Sequence, residues 1–263
     1  MTQGVMSGAG CACQPVEAVT AETFARSWSG VSALAWRVPL LAWALLVVAW
    51  SGASFWGPPE MWFLYMTHWG LLFILLEMVF GVIVAAVKTP EKNPDEESGL
   101  PWYVRVYWLL YNITIPVAFL ITIFYWCILK PASKNTHVNY APNPVLDVML
   151  HGVNSVAMLV ELALSRHPSR LLDVVQPWVF ASVYMFFTLI YFFAGGLDPW
   201  GNAFIYPVVD WSKPEQTAVV ITLTGLFLTL MHLATIGLAS LRDRLIRRCR
   251  RDSAGVYNEG FTA

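Results

Sequence analysis

Apolar residues gather into six long blocks along this chain, near 34–52, 62–87, 106–129, 145–164, 171–194 and 217–241. Each can cross the ~30 Å hydrocarbon core of a bilayer as a helix, which takes about 20 residues. Backbone groups in lipid must be bonded within their own segment, so the pattern predicts an all-α bundle of six transmembrane helices. The first block is the least regular, because Arg37 and Pro39 interrupt its start. The pattern divides the chain into a tail over 1–33, a membrane domain over 34–241 and a basic tail over 242–263. Rich in Gly, Ala and Ser, the first tail reads as disordered and lacks the basic start and apolar core of a signal peptide. The loop 88–105 is polar and Pro-containing, which predicts a flexible connection.

One block departs from uniform apolarity. The stretch 145–164 reads VLDVMLHGVNSVAMLVELAL. Within it Asp147, His151, Asn154 and Glu161 are spaced by four, three and seven residues, so they share one helical face. Ionisable groups at membrane depth are costly and usually face a bundle interior or a wet cavity. The stripe therefore predicts a buried site.

Composition supports a membrane protein. The chain is 57% hydrophobic, 14% aromatic and 13% charged, whereas soluble domains carry roughly 25% charged residues. Its mean hydropathy is +0.56. Basic residues are confined to loops and one tail, which argues against a nucleic-acid partner. The four cysteines form no disulfide framework. No metal site or cofactor motif is legible.

Charge also sets an expected orientation. With the N-terminus in the cytosol, 13 Lys and Arg lie inside, against Lys130, Lys134 and Lys213 outside. The positive-inside rule then predicts that both termini are cytosolic. Plasma membrane and endomembrane remain equal alternatives. The basic tail is expected to attract anionic inner-leaflet lipid, or to act only as a topology determinant. Cys11, Cys13 and Cys249 are positioned for palmitoylation or stay unmodified. Asn112-Ile113-Thr114 matches a glycosylation pattern but lies inside the third span, which discounts it.

With this topology, Thr67 lies ~7.5 Å below the start of the second span and His151 ~9 Å below the start of the fourth. They fall at similar depth in the outer half. His232 lies ~22 Å down the sixth span and is too deep to join them. A hydroxyl, an imidazole and a carboxylate are the parts of a nucleophile system. Thr67 would attack, His151 would take and return its proton, and Asp147, one turn above, would orient the ring. Spacing alone favours the plainer reading, since threonines commonly bond their own helix backbone. Asn154 would glue helices or orient the imidazole. His68 would line an outer cavity or simply pack. Glu161 and Asp173 would face Arg166 or Arg170. Glu77, deep in LLFILLEMVFG, needs a buried partner, and His232 has a compatible depth; such a pair would suit an ion-coupled transporter. The loop 195–216, with Phe204, Ile205, Tyr206 and Trp211, is expected to fold over the outer mouth as a lid or to anchor at the interface.

Around these residues a resemblance appears. HGVNSVAMLVELALSRHPSRLLDVVQP, then YFFAGGLDPWGNAFIYPVVDWSKP, with FLYMTHWG upstream, resembles the Rolling stone family of multi-pass membrane proteins. The likeness covers about Trp62 to Pro214. It implies a membrane role in cell–cell contact or fusion, since the founding member is associated with myoblast fusion in insects. A more distant similarity is to the androgen-induced membrane threonine hydrolases of fatty acid esters of hydroxy fatty acids. That likeness implies Thr67 as nucleophile, His151 as base and a lipid ester as substrate. Tyr206-Pro207 resembles a Tyr-Pro of those enzymes. The chain departs from them at Asn154 and Ser155, where they read His-Thr.

Overall fold

The computed structural model describes residues 20–28, 30–87, 99–133 and 143–259. Six helices in it are long and apolar enough to cross a membrane. A short helix, α1 (Ala21–Ala25), precedes them. The spans are α2 (Leu34–Ala53), α3 (Met66–Ala86), α4 (Trp102–Ser133), α5 (Pro144–Leu164) and α6 (Leu171–Phe193), followed by α7 (Pro214–Glu259).

Boundaries differ from the apolar blocks for local reasons. α3 starts at Met66 because Pro59 opens a separate 3-10 turn over Pro59–Leu64. α5 starts where Asn143 caps it, its side chain accepting from the Val145 and Leu146 amides at 2.9 and 3.1 Å, with Pro144 in the first turn. Helix-favouring Arg and Leu carry α7 past the apolar block, so the basic stretch from Arg242 begins inside a helix. Pro39 is accommodated within α2, and Arg37 is wholly buried there. Of the stretch read as a disordered first tail, residues 1–19, with Cys11 and Cys13, lie outside the described residues. Residues 20–28 and 30–33, however, include α1, whose Phe24 is buried against Val84, Val104 and Tyr107. Most of the loop 88–105 also lies outside.

α4 is the central helix. It packs on α3, α5, α6 and α7, and Tyr107, Tyr111, Ile115 and Ala118 along it are fully or almost fully buried. Asn112 and Thr114 are also buried in it, so the glycosylation pattern is inaccessible. By contrast, α6 turns Val179, Val183, Phe186 and Ile190 outward, as a lipid-facing helix does. Alternation of the spans gives the bundle two ends. One carries the loop between α6 and α7, the other the C-terminal half of α7.

Candidate functional site

At the loop end, α4 and α5 each contain one π-helical turn, Tyr125–Leu129 and Met149–Val153. Such turns occur mostly as single insertions in α-helices, frequently at functional sites. Here they face each other: the Tyr125 ring stacks on the His151 imidazole, with centroids 3.4 Å apart and planes at 8°. The Trp126 indole donates to the His151 carbonyl at 3.0 Å.

Asp147 sits one turn from His151. His151 Nδ1 donates to its carboxylate at 2.9 Å. A carboxylate only accepts, so Nδ1 carries the proton and Nε2 is the basic nitrogen. The other Asp147 oxygen accepts from the Lys130 ammonium, and Tyr125 also bonds the carboxylate. Tyr125 and Lys130 were not singled out from sequence. Their only signal was five-residue spacing at the end of an apolar block.

Thr67 is the second residue of α3 and is nearly buried. Thr188, Thr222, Thr229 and Thr235 all donate to a carbonyl three or four residues back. Thr67 makes no hydrogen bond through its side chain among the described residues. The carbonyls four and three residues before it, Phe63 O and Leu64 O, accept from the Trp69 indole at 2.7 Å and the Tyr184 hydroxyl at 2.7 Å.

Thr67 and His151 line one small cavity with Tyr65, His68, Tyr125, Leu129, Leu150 and Tyr206. Its volume is about 20 Å³, room for roughly one water molecule. The two histidines in its wall differ. His68 has both ring nitrogens engaged, with Trp62 O at 2.5 Å and Ser51 Oγ at 3.2 Å, and stacks on Trp62. It ties α2 to α3. His151 keeps Nε2 without a partner among the described residues, so it alone of the two can act as a base.

A larger apolar cavity of about 340 Å³ adjoins, within the usual range for small-molecule sites. Thr67, Tyr125, Leu129 and Tyr206 line both cavities. Its other walls come from α4, α6, α7 and the loop. Its lining includes residues of both α6 and α7, and Phe186 on α6 is 64% exposed.

The connecting loop folds over this end. Gly195 and Gly201 take positive φ at its turns, and Asp198 accepts from the Trp200 and Asn202 amides at 3.0 and 2.7 Å. Ile205 packs with Leu64 and Tyr65. Tyr206 Oη accepts from the Met66 amide at 3.0 Å, and the Trp211 indole donates to Thr188 Oγ1 at 3.1 Å. Burial pushes the Tyr206 phenol up to about 12. Asn154 lies apart from the imidazole, accepting from Thr122 Oγ1 at 3.2 Å. It joins α4 to α5.

The remaining polar groups sit elsewhere. Glu161 pairs with neither Arg166 nor Arg170 but with Arg37, at 2.9 Å and fully buried. Asp173 accepts from Gln176. Glu77 accepts from Thr114 Oγ1 at 2.5 Å. His232 donates to Arg170 O at 3.1 Å, so Glu77 and His232 are not partners. Both belong to connections made by other helices, which depth along one helix cannot foresee. No group of three or more His, Cys, Asp or Glu able to hold a metal occurs among the described residues.

Six apolar spans around a mixed polar and apolar cavity define a polytopic helical-bundle membrane protein. A family model described as protein rolling stone matches residues 44–257, and the chain belongs to the rolling stone family. It is 30% identical over 177 residues to protein rolling stone of Drosophila melanogaster, an alignment covering 64% of this chain and 62% of that one. The chain thus spans less than two thirds of that relative. No solved structure matches it.

Proposed function

We propose that this protein is an intramembrane hydrolase of lipid esters. The supporting observation is that Thr67, with no hydrogen bond from its hydroxyl to the described residues, and His151, with Nε2 unpartnered, line the same small cavity beside an apolar one. Asp147 holds the His151 ring and its tautomer through Nδ1. Lys130 holds Asp147.

The steps follow from these roles. An acyl chain enters from the bilayer between α6 and α7 and places its ester carbonyl at Thr67. Thr67 Oγ adds to the carbonyl carbon while His151 Nε2 takes its proton, leaving a tetrahedral oxyanion. The oxyanion collapses, the ester C–O bond breaks, and the departing alkoxide takes the proton from His151 as an alcohol. Water then adds to the Thr67 acyl ester, giving one proton to His151. Collapse releases the carboxylic acid, and that proton returns to Thr67 Oγ. Splitting hydrolysis into two steps is how a positioned hydroxyl lowers the barrier.

With both termini cytosolic, as the Lys and Arg distribution favours, the site faces the lumenal or extracellular half of the membrane. The basic stretch of α7 then meets the anionic inner leaflet. The test is labelling with a lipid-directed fluorophosphonate. Wild type labels and Thr67→Ala does not; unchanged labelling of the variant removes Thr67 as nucleophile. A role in cell–cell contact or fusion, implied by the family resemblance, is a separate reading, and cell mixing with the same variant relates it to the chemistry.

A further inference from the structure

The start of α3 is capped from outside its own segment. The first amides of a helix have no carbonyl of that helix to bond, and the residue just before the helix commonly supplies a side-chain acceptor. Tyr65 holds that position with extended backbone and makes no such bond. Its carbonyl accepts from the His68 and Trp69 amides at 3.0 and 3.3 Å. The Met66 and Thr67 amides go instead to the Tyr206 oxygen, the first at 3.0 Å. Tyr206 stands 140 residues further on, in the loop between α6 and α7. Its hydroxyl is bonded to that of Tyr184 on α6, and Tyr184 donates its own hydrogen to Leu64 O at 2.7 Å. The Tyr206 hydrogen therefore goes to Tyr184. The two phenols close one chain of hydrogen bonds onto the backbone at Leu64, Met66 and Thr67. Both phenol hydrogens are used in that chain, so its part is to hold backbone rather than to meet substrate. Bonds in such chains strengthen one another, and the accepting oxygen lies at the positive end of α3. Ile205, next to Tyr206, is 5% exposed and packs with Leu64 and Tyr65. Seating the loop and fixing the first turn of α3 are thus one event.

We infer that Tyr206 is a positioning residue for Thr67. Seated, the loop fixes the turn that carries the Thr67 hydroxyl into the small cavity beside His151. Lifted, it frees that turn and takes the hydroxyl out of line with the base. For its catalytic consequence the inference rests on the hydrolase reading above. It makes loop closure the step that assembles the site, since covering the mouth and aligning the nucleophile are the same motion. A misplacement of about 1 Å is enough to slow such a reaction by ~10²-fold.

The experiment uses the full chain in lipid nanodiscs with a long-chain fluorophosphonate as probe. Deuterium uptake is read at the amides that open α3, and labelling is followed against probe concentration to separate the limiting rate from half-saturation. Tyr206→Phe is expected to speed exchange at Met66 and Thr67 by roughly fivefold or more, as loss of a helix cap does. It is also expected to lower the limiting labelling rate by roughly 10², with half-saturation within twofold. Asn202→Ala, which loses a bond made within the loop, to Asp198 at 2.9 Å, leaves both readouts within threefold. Equal slowing by the two variants would mean that the loop matters only as a stable cover, and overturns the inference. So does unchanged exchange in Tyr206→Phe, or faster exchange with a wild-type limiting rate. If Thr67→Ala is unlabelled while Tyr206→Phe labels like wild type, only the positioning role falls. If Thr67→Ala labels like wild type, the hydrolase reading falls and this inference with it. Should Tyr206→Phe fail to fold, Tyr184→Phe decides, since it removes the acceptor of Tyr206 and the donor to Leu64 O while the loop keeps every side chain. Faster exchange with slower labelling supports the role, and wild-type values overturn it.

Discussion

The two ends of the bundle bury ionisable groups in opposite ways. At the end where α7 continues past the spans, Arg37 and Glu161 are fully buried and fully engaged. Arg37 donates to Glu161 at 2.9 and 3.1 Å, to Phe24 O at 2.8 Å and to Gly81 O at 3.0 Å. Glu161 also accepts from the Trp36 indole at 2.6 Å and from the Tyr107 hydroxyl. A Cβ at position 81 would stand 3.1 Å from both Arg37 Cδ and Tyr107, so glycine there is what lets the guanidinium in. At the loop end, Asp147 and His151 are equally enclosed, yet Nε2 of His151 and the hydroxyl of Thr67 lack partners among the described residues. Saturated polar groups hold helices together, whereas an imidazole nitrogen and a hydroxyl left unsatisfied beside a cavity keep their hydrogen-bonding capacity for a ligand. Burial alone does not separate these cases; the partner inventory does.

Breaking one member at each end should expose the difference. The largest effect is expected from Glu161→Ala, which leaves Arg37 buried without its counter-charge. Loss of one partner of such a pair costs about 3–5 kcal/mol, seen as a large fall in melting temperature or as aggregation in detergent. Arg37→Met with Glu161→Leu should recover most of that stability, because it removes both charges. A double variant as unstable as the single one would contradict a pairwise role.

His151→Ala should do the reverse. Hydrolysis is expected to drop by about 10²–10⁴, while the melting temperature moves little, since Asp147 retains Lys130. Equal loss of stability and activity would make the loop end structural as well.

The smallest effect concerns pH. His167, between α5 and α6, is fully buried and packs on Phe24, Tyr107 and Tyr111. Burial, and then the Arg37 and Arg242 charges, hold its pKa well below the ordinary imidazole value. The folded protein therefore binds fewer protons than the unfolded chain once the pH passes below the free-imidazole value. Stability is fully present above that value and is lost as the pH falls, by about 1.4 kcal/mol per pH unit below ~6.5. Melting temperatures between pH 7.5 and 5.5 should fall in wild type and stay flatter in His167→Phe. Identical slopes would place the acid sensitivity elsewhere.

The polar stripe on α5 was legible because helical periodicity needs only one segment. Asp147 and His151 proved to be bonded neighbours, and Glu161 lies toward the other end of the bundle in a different network. What the spacing missed came from other helices. Arg37 meets Glu161 across 124 residues, and it lies at a proline-interrupted start that looks irregular in sequence but is an ordinary helix with a buried cation. Tyr125 and Lys130 reach the site through a π-helical turn, which shifts side chains off the regular helical face and so hides them from a 3.6-residue pattern.

By itself the amino-acid sequence determined how many membrane spans there are, which of their residues are too polar for lipid, and which of those share a face. Apolar length and helical period are local properties, and lipid leaves the backbone no other regular solution in a single segment. Only the tertiary structure decided the pairing: Arg37 for Glu161, Thr114 for Glu77, and a cavity beside His151, whose Nδ1 is held by Asp147. A face has no partner until another helix packs against it, and helices in lipid are sorted by packing and hydrogen bonding between segments far apart in the chain.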